Sequence, residues 1–239
     1  TLHALHFAHA THIPFENLSL FLGQPIRIDI PSLQNKLITQ RRGGYCFEQN
    51  LLFAAVLEAI GFRVSRLAAR VRFRMTQTLP RTHAMLLVSL EDSQWLVDVG
   101  FGAEGLFYPV PFCPSGESQQ FAWTYRVVPE EAKWVLQSQK PEGWEDMYAF
   151  TLEPQELVDF EVANYYVSTY PESRFLSRFT AQIPSVNGRY ILRNYELTHD
   201  TGEATTVRTL QSDEELLEVM RMVFGLEFPA GNRFVSPKR

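Results

Sequence analysis

Hydrophobic and polar positions change their period twice along the chain. Over residues 1–61 apolar residues recur at helical spacing. TLHALHFAHA begins this way, PSLQNKLITQ repeats the pattern with Pro31 in a first turn, and CFEQNLLFAAVLEAIG (46–61) is the strongest helical segment. In that last segment Leu52, Val56, Leu57 and Ile60 form one predicted stripe, and Gly61 supplies a stop signal. From Phe62 the pattern becomes that of strands. FRVSRLAARVRF, HAMLLVSL, QWLVDVGF, FAWTYRVV, KWVLQSQ and MYAFTL are short, rich in β-branched and aromatic residues, and separated by Gly, Pro or charged turns. Strands so short and closely spaced predict an antiparallel sheet or barrel. After Glu153 the pattern is mixed. A helix is predicted near 154–165, strands in RYILRNYEL and ATTVRTL, and an amphipathic helix in SDEELLEVMRMVF, where Ser212 and Glu215 fit a capping box. The sum is an α+β protein with helices over 1–61, a sheet or barrel over 62–152 and a smaller α/β segment over 153–239.

Composition narrows the partners. The chain has 239 residues, 45% hydrophobic and 21% charged, enough apolar mass for a core. Net charge is −5 with no Lys/Arg-rich stripe, which argues against nucleic acid. The longest apolar runs are too short to cross a bilayer, so no membrane partner is expected. No cleavable signal precedes the first helix, yet the chain does not begin with Met, so its true N-terminus is expected to be missing. There are two cysteines, Cys46 and Cys113, too few for a disulfide framework. A reducing, cytoplasmic setting suits a free and reactive Cys46. Four of the six histidines fall at positions 3, 6, 9 and 12, but no cysteine or carboxylate cluster joins them. They are expected on a solvated helix surface, with no metal.

The most informative stretch is Arg42-Gly43-Gly44-Tyr45-Cys46-Phe47-Glu48. Two glycines allow close approach of backbone or ligand, and the cysteine then starts the strongest helix. The partial positive charge there favours a thiolate, and the free N–H groups can cradle an oxyanion. Against this stands the ordinary role of a free cysteine, a small buried hydrophobe. A thiolate nucleophile needs a base, and the base an orienting group. His83 opens HAMLLVSL, and Asp98 is an acid within the apolar strand WLVDVGFG. The polar turn Glu91-Asp92-Ser93 joins the two strands as a hairpin. If Leu90 pairs with Ser93, His83 falls opposite Gly100. Asp98 then lies on the same face, one diagonal step away at roughly 7–8 Å between Cβ atoms. A slip of one residue would separate them.

The segments RGGYCFE (42–48), RTH (81–83) and VDVGFG (97–102), with PFENL (14–18) and NYYVSTYPESRF (164–175), together resemble the arylamine N-acetyltransferases, including the bacterial N-hydroxyarylamine O-acetyltransferase-like members. The resemblance implies a helical bundle, an antiparallel β-barrel and a C-terminal α/β lid on a cysteine-protease or transglutaminase-like core. It also implies catalytic roles for Cys46, His83 and Asp98. Phe101 and Val71 would shape the acceptor pocket, and the backbone at Gly102 and Ala103 would receive coenzyme A. Arg42 would pair structurally with Glu16. The activity implied is acetyl transfer from acetyl-coenzyme A to an arylamine, hydrazine or N-hydroxyarylamine through a cysteine acyl-enzyme. Relative to such proteins the chain starts late and stops early, and the loop 74–81 is expected to be shortened. A cysteine hydrolase or transglutaminase-like enzyme, or an amide synthase, could use the same three residues. A binding module would merely bury Cys46.

Overall fold

Leu2, His6 and Ala10 recur at intervals of four and form the buried face of α1 (Leu2–His12). The histidines of this helix are therefore not all on a solvated surface. His6 is fully buried and His9 bonds Gln49, which corrects the sequence expectation. The computed structural model describes residues 1–114 and 116–236; position 115 and positions 237–239, the end of the expected third segment, lie outside the described residues. After α1 come the two-residue strand β1 (Phe15–Glu16), the short α2 (Leu18–Phe21) and α3 (Ile30–Leu33), and then α4 (Cys46–Ala59). Asp29 caps α3 by accepting from the Ser32 N–H at 3.0 Å, and Pro31 lies in its first turn. The helix predicted onward to Gln40 instead widens into a π-helical turn, Gln34–Thr39, with Leu37 in the core.

The stripe predicted on α4 needs correction. Leu52 and Leu57 are buried, but Val56 and Ile60 are exposed. The first nine residues, 46–54, are buried on every face, so periodicity carries no information there. The helix enters the core at its N-terminus and emerges at its C-terminus.

Eight antiparallel strands follow: β2 (Arg63–Val71), β3 (His83–Leu90), β4 (Ser93–Val97), β5 (Val110–Pro111), β6 (Glu117–Gln120), β7 (Trp123–Glu130), β8 (Lys133–Lys140) and β9 (Gly143–Phe150). They form one sheet in the order β5-β4-β3-β2-β9-β8-β7-β6, curled into a nearly closed barrel whose edge strands β5 and β6 approach without a ladder. Met85, Leu87, Leu96, Tyr125 and Tyr148 belong to the cluster inside it. The alternate residues Leu86, Val88 and Val97 pack with Phe53 and Leu57 of α4. β3 is thus covered on both faces, which explains its near-continuous apolar run.

The rest comprises α5 (Leu157–Thr169), α6 (Arg174–Ser177), β10 (Thr180–Ser185), β11 (Gly188–Arg193), β12 (Glu196–Asp200), β13 (Thr205–Thr209) and α7 (Asp213–Phe224). The second sheet, β1-β10-β11-β12-β13, is antiparallel and draws β1 from the N-terminal segment. RYILRNYEL is two strands rather than one. The chain turns at Asn194, with φ +52°, a left-handed value that asparagine tolerates. At α7, Ser212 Oγ accepts from the Glu215 N–H at 3.2 Å, while Glu215 accepts from Gln211, so half of the capping box forms. No helix among the described residues is long and apolar enough to cross a membrane.

Candidate active site

The glycine-rich segment is stitched to the PFENL segment. Gly44 N–H donates to Pro14 O at 3.3 Å, and Glu16 N–H donates to Gly44 O at 3.0 Å. Gly43 is obligatory here, since an added Cβ would lie 2.0 Å from Pro14 O. Below this seam Arg42 donates twice to Glu16 Oε1, from Nε at 3.1 Å and from Nη2 at 2.7 Å. Glu16 Oε2 accepts from the Leu18 N–H at 2.5 Å. A second buried acid, Glu48, accepts from the Tyr45 N–H at 3.0 Å and from Lys36 Nζ at 2.7 Å. Burial raises the Glu48 pKa against the opposing charge of Lys36. The Tyr45 hydroxyl donates to Asn164 Oδ1 from α5. Both residues flanking the Gly-Gly pair are therefore tethered, and Cys46 is delivered at the first position of α4.

The hairpin register predicted from its turn holds from Leu90↔Ser93 to Leu86↔Val97. Met85, Leu87 and Leu96 point into the barrel, and His83 and Asp98 lie two residues further along the same inward-facing sets. The chain then leaves the ladder before Gly100, because side chains take over its backbone groups. Asn50 Oδ1 accepts from the Val99 N–H at 3.1 Å, and Asp98 Oδ1 accepts from the Gly100 N–H at 2.9 Å. The backbone passes so close to α4 that a Cβ on Gly100 would lie 2.7 Å from the Cα of Cys46.

His83 Nε2 meets Asp98 Oδ2 at 2.7 Å, both groups buried. Asp98 Oδ1 also accepts from Asn50 Nδ2 at 2.9 Å. With Nε2 taken, Nδ1 is the imidazole nitrogen left for Cys46. Burial alone would lower the His83 pKa. The Asp98 charge and hydrogen bond, with Cys46 beside the ring, overcome burial and raise it to about 10. Burial likewise opposes charge on Asp98, but His83, Asn50 and the Gly100 N–H hold its pKa below the ordinary value. Cys46 is buried, with Sγ 3.6 Å from Thr82 O.

Cys46 and His83 line a cleft of about 170 Å³ together with Val71, Phe73, Phe101 and Phe175. That is close to the roughly 150 Å³ of an apolar cavity that takes one benzene ring. Phe101 stands edge-on to His83, with ring centroids 5.2 Å apart, and Tyr148 lies 4.9 Å from the imidazole on β9. The structure therefore brings Cys46, His83, Asp98, Phe101 and Val71 together. Gly102 and Ala103 are not in the cleft wall. Ala103 is buried, and its N–H donates to Gln182 Oε1 at 3.0 Å.

Sequence reasoning missed two supports of Asp98. Asn50 was legible in principle, four residues after Cys46 and so on the same helix face. His6 also had a signal, its place midway between Leu2 and Ala10. Its Nδ1–H donates to Phe107 O at 3.0 Å, and its Nε2 accepts from the Asp98 N–H at 3.4 Å. Burial lowers the His6 pKa to about 4, so it is neutral and held in one tautomer.

A model of the N-acetyltransferase family matches residues 1–233. Arylamine N-acetyltransferase of Escherichia coli (strain K12) is 39% identical over 230 residues, covering 95% of this chain and 82% of its own. A Salmonella typhimurium (strain LT2) protein named arylamine N-acetyltransferase / N-hydroxyarylamine O-acetyltransferase is 37% identical, covering 94% of this chain and 81% of its own. Among solved structures, Mycobacterium marinum arylamine N-acetyltransferase in complex with CoA superposes with a TM-score of 0.89 at 31% identity, covering 94% of this chain and 85% of that one.

Proposed function

The chain belongs to the arylamine N-acetyltransferase family and is an acyltransferase, and from that premise we propose that it moves an acetyl group from acetyl-coenzyme A to an arylamine, hydrazine or N-hydroxyarylamine through an acyl-enzyme on Cys46. The observation that carries this reading is the buried 2.7 Å His83–Asp98 bond behind a cysteine that opens onto an aromatic cleft. The names of the relatives and the coenzyme A held by the Mycobacterium marinum protein support the donor and acceptor classes.

In the proposed reaction Cys46 attacks as the thiolate beside a protonated His83, whose raised pKa favours the imidazolium. The sulfur attacks the thioester carbonyl, and the carbonyl π pair moves onto oxygen. Backbone N–H groups opening α4 face that charge. The C–S bond to coenzyme A breaks as the tetrahedral intermediate collapses, and the departing thiolate takes the proton from His83. Cys46 now carries the acetyl group as a thioester, still activated toward an amine. The acceptor ring packs against Phe101, Phe73 and Val71. Its nitrogen attacks, His83 receives the amine proton, and the C–S bond to Cys46 breaks, restoring the thiolate and imidazolium. Asp98 keeps the imidazole oriented with Nδ1 toward the reaction. Phe73, Phe101 and Phe175, which line the cleft with Cys46, limit the access of water, which would otherwise hydrolyse the thioester.

Initial rates at varied acetyl-coenzyme A and varied arylamine test this scheme. Parallel double-reciprocal lines are expected. Intersecting lines would replace the acyl-enzyme with direct transfer between two bound substrates.

A further inference from the structure

The loop that joins β4 to β5, residues 98–109, begins with Asp98, and one imidazole from outside the loop holds both of its ends. At the start, the Asp98 N–H is the first backbone donor beyond the β3–β4 ladder, and it goes to His6 Nε2 at 3.4 Å. Near the end, Phe107 O accepts from His6 Nδ1–H at 3.0 Å. The next two N–H groups, of Val99 and Gly100, are taken by Asn50 and by Asp98 itself. His6 thus ties the loop to α1. Packing of α1 needs no polar ring, since Leu2 and Ala10 on the same buried face are apolar. Burying an imidazole costs free energy unless its nitrogens are bonded, and here both are.

A neutral imidazole presents a donor and an acceptor on opposite edges of a rigid ring, so one side chain can span both loop ends. An imidazolium has two donors and would lose the Asp98 N–H. The groups facing the ring are Asp98, His9 further along α1, and Phe53 of α4, edge-on with its centroid 6.0 Å away. Burial outweighs the Asp98 charge and keeps the ring neutral. We propose that His6 is a positioning residue for the acyl transfer: by clasping both ends of the 98–109 loop it holds the Asp98 carboxylate at its 2.7 Å contact with His83. This rests on the reading that Asp98 orients and stabilises the His83 imidazolium, and it is independent of which donor or acceptor occupies the cleft. With the clasp open, Asp98 draws back, and the imidazolium beside Cys46 loses its counter-charge.

The test is the pH profile of Cys46 alkylation by iodoacetamide, which needs neither substrate, measured together with turnover. Mass spectrometry counts the exposed Cys113 apart. His6→Phe keeps a ring in place and removes both bonds. Its alkylation profile should move to higher pH, and its turnover should fall about tenfold to a hundredfold, the cost of a small displacement of a catalytic group. His6→Asn reaches Phe107 but stops short of Asp98; it should behave the same way and stands in if His6→Phe does not fold. His6→Gln can place its amide oxygen where Nε2 accepts from Asp98, so it should recover most of both losses. Leu2→Ala is the control, loosening the same helix without removing a polar side chain, and should leave the profile where it is. All variants are compared at a temperature where circular dichroism shows them folded. An unmoved profile on loss of the His6 acceptor, an equal shift in Leu2→Ala, or no recovery in His6→Gln would overturn the clasp. Asp98→Asn separates that failure from failure of the underlying reading. A shifted profile there with none in His6→Phe sinks the clasp alone, whereas an unmoved profile in Asp98→Asn refutes the role of Asp98 and the clasp with it.

Discussion

Replacing Arg42 with methionine isolates what holds the cysteine loop in place. Glu16 has no solvent exposure, and the Arg42 side chain is 11% exposed. The substitution keeps the apolar stem but removes both donors to Glu16 Oε1. The carboxylate would keep the Leu18 N–H, and Lys36 Nζ stands 3.9 Å away as a partial substitute. Stranding one member of a buried ion pair costs about 3–5 kcal/mol. For a chain of this size each kcal/mol moves the melting temperature by about 2–4 °C, so a drop of about 6–20 °C is expected. Arg66 and Glu58 provide the control. Their N–O distance is the same 2.7 Å, but the side chains are 31% and 38% exposed. An exposed pair contributes about 0.2–1 kcal/mol, so Arg66→Met should shift the melting temperature by no more than about 4 °C. Thermal unfolding followed by circular dichroism measures both. Equal shifts in the two variants would refute the argument that burial, rather than distance, sets the strength of the Arg42–Glu16 pair.

Asp98→Asn should leave the secondary structure intact and lower turnover by about 10⁴-fold, because the imidazole loses its orienting charge; a variant retaining a tenth of wild-type turnover would contradict that role. His6 gives a pH signature of stability. Its pKa is about 4 when folded and 6.5 as a free side chain, so below pH 6.5 the unfolded chain binds a proton that the folded chain refuses. This contribution is fully present above pH 6.5 and is lost as the pH falls toward 4, amounting to about 2–3 kcal/mol by pH 4.5. Urea unfolding at pH 7 and pH 4.5 should show a smaller pH-dependent loss in His6→Gln than in wild type, and an identical loss would exclude the effect.

The hairpin that carries His83 and Asp98 was legible because its register follows from a short polar turn and an alternating face, both local. The start of α4 was legible because glycines, a cysteine and a long apolar run meet there. Other features depend on which surfaces meet. The apolar stripe of α4 failed as a guide because the helix is surrounded at its N-terminus, so the choice of outward face was made by α3 and the barrel strands β2 and β3 packed against it. RYILRNYEL looked continuous because the αL capacity of Asn194 is invisible to hydropathy. The burial of His6 depends on Phe107 and Asp98, about a hundred residues away. β1 pairs with β10 across more than 160 residues, a contact that no local pattern encodes.

The sulfur that carries the acetyl group decides the mechanism. Among the described residues Cys113 is exposed and Cys46 is buried, so accessibility alone favours the wrong thiol. The protein is mixed with acetyl-coenzyme A in the absence of acceptor, quenched, digested and mapped by mass spectrometry. One acetyl group on Cys46, absent from Cys46→Ala and discharged on adding an arylamine, is the predicted result. Acetylation of Cys113 instead, or a Cys46 adduct that the arylamine does not discharge, would contradict it.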